Sequence, residues 1–200
     1  MKTVFWKKAW EKGVYMTELP QKKYQVIYAD PPWRYRNVNT GGSMNSGSAA
    51  KYATLSIDEI CSLKVKEICD TKCVLFLWAT VPLLPDALKV LDAWGFEYKT
   101  MLTWRKVLSH GMGFWFRGQT EHLLLGIKGD VKAFHSQKPN FIQSSVLHLQ
   151  HSEKPAKFRG LVSEVTRGLS PKIELFARQR IEGWDCWGLE IPTDTQTTFF

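Results

Sequence analysis

Hydrophobic positions along the chain fall into short runs separated by longer amphipathic stretches. Short apolar runs predict strands, and we place these at 24–29, 73–79, 97–104, 121–127, 145–149, 172–177 and 184–189. Apolar positions at helical spacing predict three helices, at 56–69, 82–94 and 155–168. Strands that alternate with helices predict an α/β fold, with a mostly parallel, doubly wound sheet and helices on both faces.

Several helix ends are marked by their residues. Ser56 with Glu59 three positions later is a capping box, which predicts a helix start. Gly95 is suited to end the helix 82–94, because glycine tolerates the left-handed conformation found there. Pro155 is a favoured first residue of a helix, and Gly168 follows the end of the same segment.

Three segments do not fit the strand and helix pattern and are predicted as substrate loops: 34–51, 105–120 and 130–144. Residues 34–51 are rich in glycine, serine and asparagine, with little to pack. Residues 105–120 combine basic and aromatic side chains with glycines, which suits contact with phosphates and unstacked bases. The same aromatics could instead cover a sheet edge or form a subunit contact.

The composition suits one intracellular domain. The 200 residues carry 27 Lys and Arg against 19 Asp and Glu, a net charge of +8. This surplus favours nucleic acid as a partner, although a merely soluble basic surface would have the same composition. We expect a single domain over 1–200, with 1–23 as an N-terminal extension and 191–200 as a tail.

Cysteines and hydropathy give the expected compartment. The four cysteines lack the spacing of common zinc sites and are expected to be reduced core thiols: Cys61 and Cys69 on a helix, Cys73 at the start of a strand, and Cys186. No apolar run reaches the roughly 18–20 residues of a membrane span, and the start lacks a signal peptide. We therefore expect a cytoplasmic protein with no membrane partner and no metal.

The segment Asp30-Pro31-Pro32-Trp33 follows the first predicted strand directly. Proline has no N–H and a fixed φ, so the two prolines predict a stiff turn at the carboxyl end of that strand. Open α/β sheets bind ligands at this edge. The segment therefore offers a carboxylate, a backbone carbonyl and a flat indole in one place, although an ordinary turn with a surface tryptophan remains an alternative.

These groups suit the activation of an aromatic amine. The N6 lone pair of adenine is delocalised into the ring, which makes the amine a poor nucleophile. A carboxylate and a carbonyl that accept its two N–H groups would free the lone pair to attack an electrophilic methyl group. Because charge develops on the nitrogen, such acceptors act most strongly in the transition state. Stacking on the indole would compensate part of the free energy that a base loses when it leaves its own stack.

Asp30-Pro31-Pro32-Trp33 resembles the catalytic motif Asp/Asn-Pro-Pro-aromatic of the amino-group DNA and RNA methyltransferases. More specifically, the chain is similar over residues 24–190 to the family founded on the 70-kDa subunit of the mRNA adenosine methyltransferase. The other motifs that carry this similarity follow in the family's order: Tyr52-Ala53-Thr54-Leu55-Ser56, Leu75-Phe76-Leu77-Trp78, Glu121-His122-Leu123-Leu124-Leu125-Gly126-Ile127-Lys128-Gly129, Lys154-Pro155 and Ile173-Glu174-Leu175-Phe176-Ala177-Arg178.

The resemblance implies a Rossmann-like class I methyltransferase that uses S-adenosylmethionine, with the motifs in circularly permuted order. The implied catalytic residues are Asp30, Pro31, Pro32 and Trp33. The implied donor-binding residues are Asp30, Lys154, Glu174, Leu175, Phe176 and Arg178, with Glu174 on the ribose hydroxyls. The implied substrate-binding residues are Trp33, Tyr35, Tyr52, Arg105, Trp115, Arg117, Glu121 and Lys154.

Lys154 also stands out without the resemblance. Lys154 precedes a helix start, where the helix dipole disfavours a cation, so the position suggests a function. Glu121 is its natural ion-pair partner. Glu174 taken alone would more often be a solvated strand end, but in its motif context it matches the acidic residue that holds a ribose in Rossmann sites.

The chain also departs from the nuclear RNA enzymes. Arg180-Ile181 and Leu189-Glu190 stand where those enzymes carry His-Asn and Asn-Gln pairs, so only Arg178 is carried over from this region. The absence of zinc fingers and of a partner-docking extension favours a compact bacterial or phage DNA enzyme. We therefore expect N6-adenine methylation, more specifically of DNA. A silent nucleic-acid-binding or partner subunit, an RNA adenine enzyme and a cytosine-N4 enzyme remain alternatives, and a homodimer would enlarge the contact with nucleic acid.

Overall fold

The structure, a computed structural model, describes residues 18–35, 54–107, 115–134, 136–145 and 153–188. Seven strands form one sheet in the order β5-β3-β4-β2-β1-β6-β7. Their bounds are Tyr24–Ala29 (β1), Cys69–Thr80 (β2), Glu97–Val107 (β3), Thr120–Lys128 (β4), Phe141–Ser145 (β5), Lys172–Leu175 (β6) and Asp185–Trp187 (β7). In this sheet β4 is antiparallel to β2 and β3, and the other pairs are parallel. The predicted mostly parallel α/β sheet is confirmed.

The helices of the described residues are short: Ile57–Cys61 (α1), Val65–Ile68 (α2), the 3-10 turn Val81–Leu83, Leu84–Ala93 (α3) and Ala156–Val165 (α4). The predicted capping box before α1 is confirmed, since the Ser56 side chain accepts from the Glu59 N–H and the Glu59 carboxylate accepts from the Ser56 N–H. The left-handed Gly95, with φ of +79°, lies one residue past Trp94, the C-cap of α3.

The prediction of one helix over 56–69 was wrong. The Ser62 hydroxyl donates to the Glu59 carbonyl at 2.8 Å, and the Leu63 N–H donates to the Ile60 carbonyl at 3.2 Å. A serine that competes for a helical carbonyl in this way interrupts the helix. Cys69 consequently begins β2 instead of ending a helix.

Strand bounds differ from the prediction at the sheet's edges. β5 spans Phe141–Ser145 instead of 145–149, and positions 146–149 lie outside the described residues. Its alternate residues Phe141 and Gln143 are exposed. This edge strand therefore has no run of buried apolar residues from which the sequence could predict it. β3 also continues to Val107, which places the start of the expected loop 105–120 in a strand.

Two hydrophobic cores cover the two faces of the sheet. One joins α1, α2 and α3 to one face, and the other joins α4 to the opposite face. Ile60, Val90 and Leu91 are buried in the first core, and Phe158 and Val162 in the second. The predicted helices on both faces are therefore confirmed.

The four cysteines, Cys61, Cys69, Cys73 and Cys186, are free thiols. Cys73 lies inside β2 and does not open it, since that strand begins at Cys69. None of the described helices has the length and apolar character needed to cross a membrane.

Candidate active site

Two acidic side chains lie close to the carboxyl ends of the neighbouring strands β1 and β6. Asp30 follows β1 directly, and Glu174 is the penultimate residue of β6, opposite Tyr28. The chain leaves β1 for β2 on one side of it. It reaches β6, on the other side of β1, only after α4. This helix packs on the face of the sheet opposite to α1, α2 and α3. The strand order therefore reverses at β1, which is where open α/β sheets form a ligand crevice.

The turn after Asp30 is held by backbone hydrogen bonds. The Trp33 N–H donates to the Pro31 carbonyl at 2.8 Å, and the Leu55 N–H donates to the Pro32 carbonyl at 2.8 Å. A short parallel bridge joins Trp33 to Leu55. The stiff turn predicted from the prolines is therefore present. Each carbonyl has a second lone pair, so each can accept one further N–H.

Trp33 packs into the protein beneath this turn. Its indole Nε1 donates to the Trp78 carbonyl at 3.0 Å, and the residue is only 6% exposed. We expected the indole to offer a flat surface to a base, and that role stays a prediction. In this structure Trp33 has a packing role, because most of the indole surface already contacts protein.

Asp30 is the end of a chain of four alternating charges. The Lys154 Nζ lies 2.7 Å from the Asp30 Oδ2 and 3.4 Å from the Glu121 Oε2. Glu121 also pairs with Lys106. The side chains of Lys154 and Glu121 are 9% and 8% exposed, whereas that of Asp30 is 24% exposed. The two cations balance the two carboxylates, and the two ends of the chain, Asp30 and the 22% exposed Lys106, are its accessible members.

Burial and pairing shift the pKa values along this chain. Removal from water raises the pKa of Asp30, although Lys154 and, more weakly, the charge of Arg178 oppose the shift. Burial alone would lower the pKa of Lys154, but Asp30 and Glu121 raise it above its usual range. Burial would raise the pKa of Glu121, but Lys154 and Lys106 hold it below its usual range. Lys154 is therefore a fixed cation, and Asp30 is the carboxyl most able to take up a proton.

Glu174 has a cation of its own. Arg159 in α4 donates from Nη2 to the Glu174 Oε1 at 3.0 Å, and its Nε lies 2.7 Å from Oε2. The Nε and Oε2 atoms are both buried without an aligned hydrogen bond. Burial raises the pKa of Glu174 and Arg159 opposes the shift. The Oε2 atom of this carboxylate therefore lies against the Arg159 guanidinium but receives no aligned hydrogen bond.

The residues that follow Glu174 end β6. Leu175 is fully buried in the core, so its side chain serves packing. Phe176 has a φ of 62°, the left-handed region that residues other than glycine rarely adopt, and this ends β6 earlier than predicted. Its ring meets Trp187 edge-on at 5.4 Å. Arg178 is exposed. Backbone strain of this kind is concentrated at functional sites.

The other predicted substrate-binding residues are more dispersed. Tyr35 is 36% exposed, with its hydroxyl 2.8 Å from that of Thr80. Arg105 lies on β3 and donates to the Gln143 side chain at 3.0 Å. Trp115 is 95% exposed. Arg117 is exposed, and Tyr52 lies outside the described residues.

The sequence reasoning missed two cations, Lys106 and Arg159. Lys106 fell in a segment expected to be a loop. In β3 it lies two residues after Trp104, which pairs with Glu121, so strand alternation puts Lys106 and Glu121 on one face. Arg159 lies in the predicted helix 155–168, five residues after Lys154, and that spacing was its one signal. No set of three or more side chains that could hold a metal ion is found among the described residues.

Comparison with known proteins gives a family match over most of the chain. The MT-A70 family model matches residues 24–190. The Type II methyltransferase M.MunI of Mycoplasma sp is 39% identical over 191 residues, which cover 88% of this chain and 81% of that protein.

Eukaryotic proteins are similar over a shorter part of their own length. The human N(6)-adenosine-methyltransferase catalytic subunit METTL3 is 29% identical over 164 residues, 78% of this chain and 26% of that protein. A putative N(6)-adenosine-methyltransferase MT-A70-like protein of Medicago truncatula is 28% identical over 178 residues, 84% of this chain and 26% of that protein. The chain thus spans about a quarter of either protein.

Proposed function

The chain belongs to the MT-A70 family, and we propose that it transfers a methyl group from S-adenosylmethionine to the N6 amine of adenine in nucleic acid. The observation that carries this proposal is the placement of Asp30. Its carboxylate is partly exposed beside two prolines, is paired with the buried Lys154, and lies next to the strand that bears Glu174.

The residues around Glu174 fit the methyl donor. The Glu174 Oε2 is buried without an aligned hydrogen bond, and a ribose hydroxyl would supply one. Phe176 adopts its left-handed conformation two residues later. When bound, S-adenosylmethionine supplies an electrophilic methyl group on a sulfonium. Glu174 would hold its ribose, with Phe176 and Arg178 beside it and Lys154 and Asp30 towards the methionine part.

Asp30 has two tasks in this proposal. Its carboxylate accepts one N–H of the adenine amine while the Pro31 or Pro32 carbonyl accepts the other, which frees the nitrogen lone pair. A nitrogen–carbon bond then forms, and the carbon–sulfur bond breaks with its electron pair left on sulfur. The nitrogen must afterwards lose one proton. Because removal from water raises the pKa of Asp30, this carboxyl is the proton acceptor that the site offers.

Lys154 and Glu121 prepare Asp30 for these tasks. Lys154 neutralises the carboxylate before the substrate enters and fixes its position through the 2.7 Å contact. Glu121 and Lys106 fix Lys154 in turn. Such prearranged charges need no reorganisation during the reaction, which is the most effective form of electrostatic catalysis.

We further propose that the nucleic acid is DNA. The Mycoplasma Type II methyltransferase is similar over 81% of its length, whereas the chain covers 26% of METTL3. The net charge of +8 suits either polyanion.

Methylation with isotopically labelled S-adenosylmethionine tests the proposal. DNA and RNA are treated in parallel, digested to nucleosides, and examined by mass spectrometry. Labelled N6-methyladenine in DNA is expected. Label in N4-methylcytosine or only in RNA would contradict the base or the substrate. Nucleic-acid binding without donor binding or label would instead indicate a silent subunit.

A further inference from the structure

The helix α4 and the residues just before it place one cation beside Asp30 and another beside Glu174. Lys154, just before the helix, pairs with Asp30 at 2.7 Å. Arg159, within the helix, pairs with Glu174 at 2.7 and 3.0 Å. Because both cations belong to one segment, the two carboxylates are placed relative to the same rigid element.

Arg159 is itself held firmly. Its side chain is 16% exposed and that of Glu174 is 10% exposed. The guanidinium lies over the ring of Tyr28, 6.0 Å from its centroid. The Tyr28 hydroxyl accepts from the Trp78 indole at 2.6 Å. A planar guanidinium fixed on two sides restricts both the position and the plane of the carboxylate that it faces.

The contacts leave part of Glu174 available to a ligand. An ionised carboxylate has about four acceptor positions, and Arg159 fills one of them with an aligned hydrogen bond, at Oε1, whereas Oε2 receives none. A ribose diol carries two O–H donors, which match a carboxylate that is held ionised. A protonated or freely rotating carboxyl would match them less well.

We propose that Arg159 is a positioning residue for the methyl donor, which holds the Glu174 carboxylate ionised and in the plane required by the ribose hydroxyls. This inference rests on the proposed function of the site. Arg159 contacts Glu174 and Tyr28 in the interactions described above, and the reacting atoms lie beside Asp30. Its loss should therefore weaken donor binding much more than it slows methyl transfer.

Calorimetry with S-adenosylmethionine tests this inference without reliance on turnover. The variants are Arg159→Met, Arg159→Lys, Glu174→Gln and the double variant Arg159→Met/Glu174→Gln. Arg167→Met is the matched control, since Arg167 is exposed just after the same helix. Loss of charge-assisted hydrogen bonds should weaken donor binding about tenfold or more in Arg159→Met. Arg159→Lys should retain an intermediate affinity, and Arg167→Met should bind like the wild type.

Two further readouts separate positioning from a merely structural role. If Arg159 acts through Glu174, the double variant should bind no more weakly than Glu174→Gln alone. At saturating donor, kcat of Arg159→Met should stay within about threefold of the wild type while the KM for the donor rises.

The outcomes are distinct. Wild-type affinity in Arg159→Met, or additive losses in the double variant, would overturn the inference. No donor binding by the folded wild-type protein would overturn the proposed function instead. If Arg159→Met does not fold, Arg159→Lys provides the test. A raised KM for the donor with an unchanged kcat would support the inference. An unchanged KM and an unchanged kcat would overturn it.

Discussion

The Lys154 Nζ lies 2.7 Å from the Asp30 Oδ2, although the two residues are 124 positions apart in the chain. Asp30 ends the first strand and Lys154 precedes the last long helix. The same nitrogen lies 3.4 Å from the Glu121 Oε2. One buried cation therefore joins the segment before α4 to Asp30 and Glu121 at the carboxyl edge of the sheet. Its removal should lower both stability and activity.

Replacement of Lys154 by methionine should lower the free energy of unfolding at pH 7. It leaves two carboxylates close together without their shared cation, and breaking a buried ion pair of this kind costs about 3 kcal/mol. Urea denaturation measures the effect. Lys72→Met is the matched control, because Lys72 is 57% exposed and its pair with Asp130 should contribute little.

The stability deficit of Lys154→Met should depend on pH. In the wild type the pKa of Glu121 lies below its usual 4.5, so its stabilisation is complete above that pH and is lost as the pH falls through the folded value. In the variant, burial without Lys154 raises both carboxyl pKa values, so the folded protein takes up protons and gains stability as the pH falls. The deficit should therefore shrink below about pH 5. A constant deficit between pH 7 and pH 4 would contradict this account.

Strand ends were the part of the site most accessible from the sequence. The apolar run before Asp30 and the strand that bears Glu174 fixed the edge at which the two acids lie. The position of Lys154 before a helix start is unfavourable for a cation, and this predicted a functional role for it. Its pairing with Asp30 needed the tertiary structure, because no local pattern joins residues so far apart.

Lys106 and Arg159 show what the sequence pattern could not provide. β3 runs three residues further than its apolar pattern indicates, and Lys106 lies in that extension. Arg159 lies in an amphipathic helix, where an arginine is ordinarily a solvated residue. Only the packing of α4 on the face of the sheet that carries Tyr28 turns it towards Glu174. The helix predicted over 56–69 likewise breaks at Ser62 despite its periodicity, at a place where the Ser62 hydroxyl competes for the Glu59 carbonyl.

Trp33→Phe should destabilise the protein without removing an aromatic ring from the proposed catalytic motif. The Trp33 indole donates to the Trp78 carbonyl at 3.0 Å in the buried interior. Loss of that donor removes a buried hydrogen bond to the carbonyl and should cost about 1–2 kcal/mol in urea denaturation. Trp115→Phe, at a residue that is 95% exposed, should leave stability unchanged. Equal stabilities for both variants would contradict the packing role of Trp33.

His122 should remain neutral at physiological pH. Burial lowers its pKa below 6.5, and the charge of Glu121 opposes the shift only in part. Its Nδ1 lies 3.1 Å from the Thr103 hydroxyl. Stability linked to this residue should be complete above pH 6.5 and be lost as the pH falls through the folded pKa. An NMR titration of the His122 ring measures the value directly, and a pKa at or above 6.5 would refute the prediction.

The most direct test of the central claim compares single-turnover methyl transfer to DNA by the wild type and Asp30→Asn at saturating donor. Asparagine keeps the shape of the side chain but cannot carry the negative charge or accept the N6 proton. The account predicts a loss of about a hundredfold or more in the rate of N6-methyladenine formation, with a cooperative fold and measurable donor binding. The control Asp92→Asn, at an exposed acid on α3, should keep the wild-type rate. A folded, donor-binding Asp30→Asn enzyme that methylates adenine within about threefold of the wild-type rate would contradict the account.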